Sequence, residues 1–385
     1  MTTCSYLWEA GTYLNFSFAL LLLCFGLMSF GLQDSGLAET QTTDVQKFKF
    51  ELLTEQEDVV WGFDFIDEST ILFSQRGGAL KTLNLKTKKV VTVKGAPSVW
   101  HKGQGGLLDV VVDPSVKNQI FLSYSKPVGK DKGTTAIAKA QLKDSTLVGL
   151  EEIFVAKEAT DETIHFGSRI VFLNGSLLVT IGERNVREHV QDLGYHTGKV
   201  IRINKDGSAV KDNPFSNVKG AMPEIWSFGH RNPQGLAVDP KTSRVWLSEM
   251  GPRGGDEINL IVPGKNYGWP DVTYGREYWG PSIGVKEKKG TEQPVVFWVP
   301  SISPSGITVY RGTHFSKWDG NIFVACLSGR HVRRLQVEEK PGKGFQVIHQ
   351  EVLLAQLNER FRMVRTGPDG FLYLATDSGK IARVR

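Results

Sequence analysis

The sequence predicts an all-β fold, a six-bladed β-propeller of four-stranded antiparallel blades. Two observations lead to this prediction: a strand–turn–strand pattern occurs six times, and apolar and polar residues alternate within each copy. Because one such sheet cannot bury both of its faces alone, we expect the copies to stack around a central axis. A pair of β-sandwiches is the alternative architecture, and the even spacing of the copies disfavours it.

The six copies share one plan, in which short strands are separated by turns and polar breaks. In the clearest copy, the last one, the first turn is Pro-Asp-Gly, a sequence typical of the turn between antiparallel strands. The copies lie at residues 61–85, 105–125, 168–204, 235–262, 305–337 and 364–385. We expect the polar insertions between them to gather on one rim of the propeller, over its axis.

The composition fits one large repeat domain, which we place at residues 45–385. Hydrophobic residues make up 40% and charged residues 23% of the 385 residues, as in ordinary globular proteins. The 46 basic and 41 acidic residues give a net charge of +5, and the basic residues are scattered along the chain. Nucleic acid is therefore not an expected partner. The sequence leaves both a monomer and a homodimer open.

Residues 1–38 differ from the rest and predict a signal peptide. An uncharged apolar run extends from Asn15 to Leu32, and small residues at Gly36–Ala38 provide a cleavage site. An N-terminal membrane anchor is the alternative, because no Lys or Arg precedes the run and its length approaches that of a membrane span. Either interpretation places the folded body outside the cytoplasm, periplasmic or secreted after cleavage and membrane-anchored without it.

Side chains that can bind an anion or move a proton lie at the boundaries between copies. His165 precedes a strand, and Glu183 ends the next one, where a carboxylate can orient a histidine. Arg360 and Arg362 alternate along a strand, so both should point to one face. Each also has a structural alternative, such as a hydrogen-bonded histidine or a solvated sheet edge. The other candidates are Gln104, Arg231, Asn232, Gly251, Pro252, Asp256, Glu257 and Tyr267.

Together these residues favour a planar, polyanionic ligand near the axis. Three arginines, an asparagine, a glutamine and a histidine would surround it, and guanidinium groups bind carboxylates bidentately. Oxygen-rich turns close by would suit calcium. No Gly-rich turn between a strand and a helix with a trailing acid is visible, which disfavours nicotinamide and flavin cofactors.

Nine motifs run in order through the chain after the leader: GQGGLLDV, HFGSRIVF, GKVIRINKDGS, KDNPF, GHRNPQGLA, DEINLI, GKNYGWP, SPSGI and ERFRMV. On these motifs the sequence resembles the soluble pyrroloquinoline-quinone (PQQ)-dependent sugar dehydrogenases, the glucose/sorbosone dehydrogenase family, in its aldose sugar dehydrogenase branch. The combination of GHRNPQG with DEINLI and NYGWP is highly specific. The resemblance implies six blades, a quinone cofactor on the axis, calcium and a periplasmic location.

The resemblance also implies roles for individual residues. His165 matches the general base that takes the proton of the C1 hydroxyl of an aldose while hydride passes to the quinone. Arg231 matches the residue over the reactive quinone oxygens, where its charge stabilises a developing oxyanion. Cofactor contacts are implied for Gln104, His165, Arg231, Asn232, Arg360 and Arg362.

Two calcium sites are implied as well. Backbone carbonyls of Gly251 and Pro252 match ligands of the ion that also binds the quinone and polarises its C5 carbonyl as a Lewis acid. Glu257 and Tyr267 match a second, structural calcium site. From the residue types alone, Asp256 and Glu257 are also explained as ordinary charged residues of a turn.

Three positions depart from the family pattern. Ser328 stands where many relatives have Lys, which removes one positive charge from the cofactor site, and Arg330 is a candidate replacement. Glu183 replaces the usual Asp. Ile164 replaces the acid that helps glucose-specific members to hold sugar. We therefore expect somewhat weaker cofactor binding and no strict preference for glucose.

The leading hypothesis is an exported quinoprotein that oxidises an aldose at C1 to its lactone and passes electrons to an acceptor outside the cytoplasm. A calcium-dependent hydrolase or lactonase is one alternative, but it requires several carboxylates around one ion, and the insertions are richer in Arg than in acid. A non-catalytic binding propeller is another, and it would be expected to lack His165 or Arg231, which are both present. The reaction rests on family resemblance rather than on the fold.

Overall fold

The computed structural model of the protein describes residues 40–43 and 46–385, and this part of the chain is almost entirely β-structure. Its strands form six antiparallel sheets, which confirms the predicted six-bladed β-propeller. The signal-peptide or anchor interpretation concerns residues 1–38, which lie outside the described residues. Across the described ranges, no helix has the length and apolar character needed to cross a membrane.

Strands that follow one another along the chain are hydrogen-bonded neighbours within each blade. The chain begins with β1 (Thr40–Thr42) and β2 (Lys47–Glu55). Blade one contains β3 (Val60–Asp67), β4 (Thr70–Gln75), β5 (Leu80–Asn84) and β6 (Val90–Val93). Blade two contains β7 (Leu107–Val112), β8 (Gln119–Val128), β9 (Lys132–Lys143) and β10 (Thr146–Val155). Blade three contains β11 (Gly167–Leu173), β12 (Ser176–Ile181), β13 (Lys199–Ile203) and β14 (Ile225–Phe228).

The second half of the chain repeats this plan. Blade four contains β15 (Pro233–Val238), β16 (Val245–Glu249), β17 (Asp256–Ile261) and β18 (Val296–Trp298). Blade five contains β19 (Pro304–Val309), β20 (Ile322–Cys326), β21 (His331–Lys340) and β22 (Gly344–Leu353). Blade six contains β23 (Phe361–Thr366), β24 (Leu372–Thr376) and β25 (Lys380–Val384). The described helices are single 3-10 turns at Arg187–His189, Ser316–Trp318 and Ala355–Leu357.

The first strands of the described chain complete the last blade. β2 pairs antiparallel with β25, with Phe50 opposite Val384, and β1 pairs with β2. The sixth sheet therefore has five strands, in the order β1-β2-β25-β24-β23, one more than the predicted four. β1 also precedes residue 45, the predicted start of the domain. Hydrogen bonds between these distant segments close the ring.

The hydrophobic core lies between adjacent blades. The inner strands β3, β7, β11, β15, β19 and β23 contact one another in a closed ring. Between blades two and three, for example, Val111 and Phe121 pack against Ile170 and Ile201. Such burial of apolar surface is the main term that favours folding. Cys326 is buried in the cluster between blades four and five, as expected for a small core residue.

A buried ion pair occupies the axis. Nη1 of Arg169 donates to Oδ1 of Asp109 over 2.9 Å, and its guanidinium lies 4.2 Å from the ring centroid of Trp61. Both charged side chains are buried, so removal of either partner would leave an uncompensated buried charge. The Arg169–Asp109 pair lies between two cavities. The ends of the inner strands line a cavity of about 200 Å³, and the beginnings of these strands line the candidate active site.

Candidate active site

A cleft of about 270 Å³ opens where the inner strands begin. The loops that enter these strands, and the ends of the second strands of each blade, meet there on the axis. The cleft brings together seven of the predicted residues: Gln104, His165, Arg231, Asn232, Gly251, Arg360 and Arg362. The other five candidates do not line it: Glu183, Pro252, Asp256, Glu257 and Tyr267.

His165 and Glu183 form a buried hydrogen-bonded pair at this cleft. Nδ1 of His165 lies 2.5 Å from Oε1 of Glu183, and both side chains are buried. Burial lowers the pKa of His165, and the charge of Arg231 acts in the same direction, outweighing the opposite effect of the Glu183 hydrogen bond. The imidazole is therefore neutral at pH 7, with Nδ1–H donating to Glu183 and the lone pair of Nε2 left as a proton acceptor.

Contacts at both its N–H and its carbonyl hold the backbone of His165 in place. Its N–H donates to Oε1 of Gln104 over 2.9 Å. The carbonyl lies against Gly182, where an added Cβ would come within 2.0 Å of the carbonyl oxygen. On the preceding residue, the Ile164 carbonyl accepts from Nε of the buried Arg184 over 3.0 Å. The histidine has a φ of 56°, a conformation that costs a non-glycine residue energy and persists only where contacts enforce it.

Arg231 is held in place by two hydrogen bonds, and its Nε is left as a donor for a ligand. Its backbone N–H donates to Oε2 of Glu249 over 2.8 Å, and Nη1 donates to the Met250 carbonyl over 3.1 Å. The guanidinium lies 5.4 Å from the ring centroid of Trp269. Its Nε is buried and has no hydrogen-bond partner among the described residues. Because an unsatisfied buried donor costs roughly 1–3 kcal/mol, a ligand acceptor at this position would be stabilising.

Arg360 and Arg362 point to the same side, where they share one carboxylate. Nε of Arg360 donates to Oδ2 of Asp377 over 2.9 Å, and Nε of Arg362 donates to Oδ1 over 2.8 Å. Nη1 of Arg362 also donates to Oε1 of Gln234 over 2.9 Å, and Gln234 donates to Oδ1 of Asn232 over 3.3 Å. A polar network thus connects blades four and six across the cleft.

Asp256 organises the turn that contains Gly251. Its Oδ1 accepts from the Gly251 N–H over 2.9 Å, and its Oδ2 accepts from the backbone of Ser303 over 2.8 Å. The carbonyl of Gly251 accepts no hydrogen bond from a described residue, whereas that of Pro252 accepts from the Arg276 N–H over 3.0 Å. A carbonyl oxygen has two lone pairs, so both oxygens fit as calcium ligands.

Glu257 and Tyr267 line a separate small cavity of about 10 Å³, together with Glu249. This is the volume that one water molecule or ion requires. Burial, together with the nearby charge of Glu249, raises the pKa of Glu257 well above its usual value. The Tyr267 hydroxyl already donates to the Leu260 carbonyl over 2.7 Å, so its backbone carbonyl would be the oxygen available to a ligand. The carboxylates of the buried Glu249 and the half-buried Glu257 at one small cavity fit a cation.

Backbone oxygens would have to complete both candidate calcium sites. In residues 40–43 and 46–385, no group of three or more His, Cys, Asp or Glu side chains is arranged to hold a metal ion. Calcium accepts carbonyl ligands readily. The same finding disfavours a hydrolase centre built on converging carboxylates, because the one acid that lines the cleft, Asp377, is held by two arginines.

The three departures from the family pattern are visible in the structure. Ser328 is exposed, and its hydroxyl donates to Oγ of Ser303, which lines the cleft, over 2.8 Å. Arg330 does not line the cleft and donates instead to the carbonyl of Asn358 over 2.8 Å. Arg330 therefore does not supply the charge absent at residue 328. Ile164 presents no carboxylate beside His165.

Sequence reasoning missed three charged residues, Arg76 and Asp377 in the cleft and Glu249 beside it. The repeat contained a signal for two of them. Arg76 and Asp377 each follow the second strand of their blade by one residue, as do Met250 and Leu327, which also line the cleft. Superposition of the copies on their second strands would have placed all four at the axis.

Comparisons with known proteins identify the family of the chain. The profile of the glucose/sorbosone dehydrogenase family matches residues 57–383. An aldose sugar dehydrogenase of Escherichia coli (strain K12) is 39% identical over 345 residues, which cover 87% of this chain and 92% of that protein.

Solved structures show the same similarity. The soluble aldose sugar dehydrogenase of Escherichia coli in its apo-form has a TM-score of 0.83 and 38% identity, with 88% of this chain and 99% of that chain covered. The PQQ-bound aldose sugar dehydrogenase of Streptomyces coelicolor has a TM-score of 0.72 and 25% identity, with 88% and 98% covered. The family match extends from blade one to blade six. The chain therefore belongs to the glucose/sorbosone dehydrogenase family.

Proposed function

We propose that the protein is an exported, PQQ-dependent dehydrogenase that oxidises the C1 hydroxyl of aldose sugars to the lactone. One observation carries the proposal: a buried neutral histidine shares a cleft with four arginines and a single carboxylate. The names of the relatives support the sugar as substrate, and the PQQ-bound relative supports the cofactor.

The residues of the cleft fit the quinone. PQQ is planar and carries three carboxylates, which match guanidinium groups in charge and shape. Arg231 has a buried donor without a protein partner, so its hydrogen bond is available to a ligand. Gln104, Asn232, Arg360 and Arg362 would hold the edges of the ring system. When bound, PQQ supplies the electrophilic carbon that accepts hydride from C1 of the sugar.

His165 performs the proton transfer. As hydride leaves C1 with its electron pair, the C1–O bond gains its double-bond character and the hydroxyl proton passes to Nε2 of His165. Glu183 keeps the proton of Nδ1 in place, so Nε2 remains the basic nitrogen. Such a general base contributes roughly 10²- to 10⁴-fold to the rate. Arg231 places a fixed positive charge where an oxyanion develops.

Calcium is part of the proposal. The carbonyls of Gly251 and Pro252 would hold an ion beside the quinone, where it would act as a Lewis acid. Glu257 and the carbonyl of Tyr267, with Glu249 at the same small cavity, would hold a second ion. This second ion would neutralise the neighbouring carboxylates of Glu249 and Glu257, so its role is structural.

Residues 1–38 determine the proposed location of the protein. Residues 1–38 would direct export to the periplasm or the medium, or would anchor the protein if not cleaved, and an acceptor outside the cytoplasm would take the electrons. N-terminal sequencing of the protein purified from each cell fraction tests this. A mature protein that starts at Glu39 supports cleavage, whereas full-length protein in the cytoplasm contradicts export. Sedimentation of the purified protein distinguishes a monomer from a homodimer.

The function is tested by titrating purified apo-protein with PQQ and calcium and then measuring dye reduction with a panel of aldoses. We expect activity only with both additions, and we expect it to disappear in His165→Ala. His314→Ala is the matched control, because His314 is exposed and outside the cleft. A protein that binds no PQQ in the presence of calcium would contradict the proposal, and lactone and ester substrates would then be tried.

A further inference from the structure

The Arg76 guanidinium lies in the cleft without a hydrogen-bond acceptor among the described residues. It follows β4 directly and lines the cleft with Gln104 and Asp377. Its side chain forms no hydrogen bond or ion pair with any residue in the described part of the chain, and its Nε is buried. A buried guanidinium nitrogen without an acceptor is costly. The cost indicates that an acceptor is missing from the protein itself.

The other arginines of the cleft differ in this respect. Arg360 and Arg362 both donate to Asp377, and Arg231 donates to the Met250 carbonyl. These three are held in place by their own side-chain contacts. Arg76 is instead the arginine of the cleft whose guanidinium has no acceptor among the described residues, and its Nε is also shielded from solvent.

Backbone hydrogen bonds nevertheless fix the position of Arg76. Its N–H donates to the Val59 carbonyl over 3.0 Å, and its carbonyl accepts from the Leu107 N–H over 3.0 Å. Gly106 packs against it with a φ of 152°, and an added Cβ would lie 1.9 Å from the Arg76 carbonyl oxygen. The Gly-Gly of the GQGGLLDV motif thus allows this close approach. The guanidinium is held near the cleft by its main chain, not by a salt bridge.

The charge of the cleft also requires a ligand. Arg76, Arg231, Arg360 and Arg362 contribute four positive charges, and Asp377 contributes one negative charge, which leaves three positive charges on the lining side chains. His165 adds none, because it is neutral. A ligand with three carboxylates would meet this positive charge, to which the calcium proposed at Gly251 and Pro252 would add. Without Arg76 the side chains alone would contribute only two positive charges.

We propose that Arg76 binds a carboxylate of the bound quinone and is a cofactor-binding residue of this protein. The inference rests on the proposed function, because it takes PQQ as the ligand. Arg76 comes from blade one, whereas Ser328, at which the family's usual lysine is absent, belongs to blade five. Arg76 therefore adds to the charge of the site from a different side and does not occupy the place of that lysine.

The test is a calorimetric titration of apo-protein with PQQ at a fixed excess of calcium. We expect Arg76→Gln to raise the Kd for PQQ by roughly 10- to 100-fold, as for loss of a charged hydrogen bond. Arg76→Lys keeps the charge but not the planar guanidinium, so its Kd should lie between that of the wild type and that of Arg76→Gln. Arg330→Gln is the control, because Arg330 does not line the cleft, and it should bind as the wild type does.

Thermal unfolding shows whether each variant is folded. Because the Arg76 side chain has no partner in the described protein, the Tm of apo Arg76→Gln should stay within about 2 °C of the wild type. If Arg76→Gln binds PQQ as tightly as the wild type, the inference is wrong and the proposed function stands. If it changes only the KM for the aldose, Arg76 belongs to the sugar site and the inference is again wrong. If the wild type binds no PQQ, both fail.

Discussion

Glu183 approaches the imidazole of His165 with one carboxylate oxygen 2.5 Å from Nδ1. This contact determines which ring nitrogen carries the proton. The backbone N–H of Glu183 also donates to the Arg231 carbonyl over 2.8 Å, so Glu183 directly links His165 and Arg231, the two residues that face the reacting atoms in the proposed mechanism. The Glu183 side chain is one methylene longer than the aspartate usual in the family, and its carboxylate nevertheless forms the hydrogen bond to the histidine.

We predict that Glu183→Gln lowers kcat by roughly 10²-fold or more, because an amide can donate to Nδ1 and stabilise the wrong tautomer. The Kd for PQQ should change little, since Glu183 does not line the cleft. Steady-state kinetics with separate PQQ titrations measure both quantities. Glu183→Asp is the control and should retain most of the activity. Equal losses in kcat and in PQQ affinity would contradict a role in orienting His165.

The pH dependence of kcat/KM should show an acid limb below pH 6.5, the ordinary pKa of histidine. Burial lowers the pKa of His165, so the base remains neutral and active down to a lower pH, and activity is lost only as the ring becomes protonated. Glu183 stabilises the protonated ring, so the acid limb of Glu183→Gln should move to still lower pH. An acid limb above pH 6.5 would argue against a buried neutral histidine as the base.

Asp377→Asn should destabilise the protein by roughly 1–3 kcal/mol at pH 7, because two arginines lose their shared acceptor. Burial raises the pKa of Asp377, but Arg362 and Arg360 outweigh this effect and the net shift is downward. The stability from this carboxylate is therefore present above its unfolded pKa and lost as the pH falls through the folded pKa. Urea unfolding at pH 7 and pH 3 should show the difference between the variant and the wild type shrinking in acid.

Calcium should stabilise the apo-protein even without the quinone, by about 2.7 kcal/mol at a concentration of 100 times its Kd. Glu257→Gln removes one of the two mutually repelling carboxylates at the small cavity, so it should raise the Tm measured in a chelator and reduce the gain on adding calcium. Differential scanning calorimetry with and without calcium measures this. If calcium stabilises the variant as much as the wild type, Glu257 is not a ligand.

Ser328→Lys should tighten PQQ binding by up to about fivefold, the range of a partly exposed ion pair. The side chain starts from an exposed position next to Ser303, from which a longer chain extends toward the cleft. Ser328→Met provides the same length without charge and should not tighten binding. A similar gain in both variants would show that apolar contact, and not charge, is responsible.

The sequence was sufficient to predict six blades because the strand alternation and the turns are local signals. It did not predict the pairing of β2 with β25. These strands are separated by more than 300 residues, and nothing in the composition of Lys47–Glu55 specifies a partner. The outermost strands, such as β22, likewise follow from the register of their neighbours rather than from a turn motif.

The candidate site was predicted mainly from family resemblance. His165 and Arg231 lie in motifs, and the structure brings them into one cleft. Arg76 and Asp377 lie in short turns of ordinary composition, so superposition of the repeat copies, and not a motif, would have placed them near the axis. The proximity of Glu249 to Glu257 was not predicted for a related reason. The two residues lie opposite each other on adjacent strands, and a single sequence does not show the register of its strands.

The pairing of β2 with β25 also sets the order of events during biosynthesis. Residues 47–55 leave the ribosome before any complete blade exists, and they must wait for residues 380–384. Until then, β2 has no partner in β25 and presents an unpaired edge, which is a site of aggregation. The ring therefore stays open while blades one to five are synthesised.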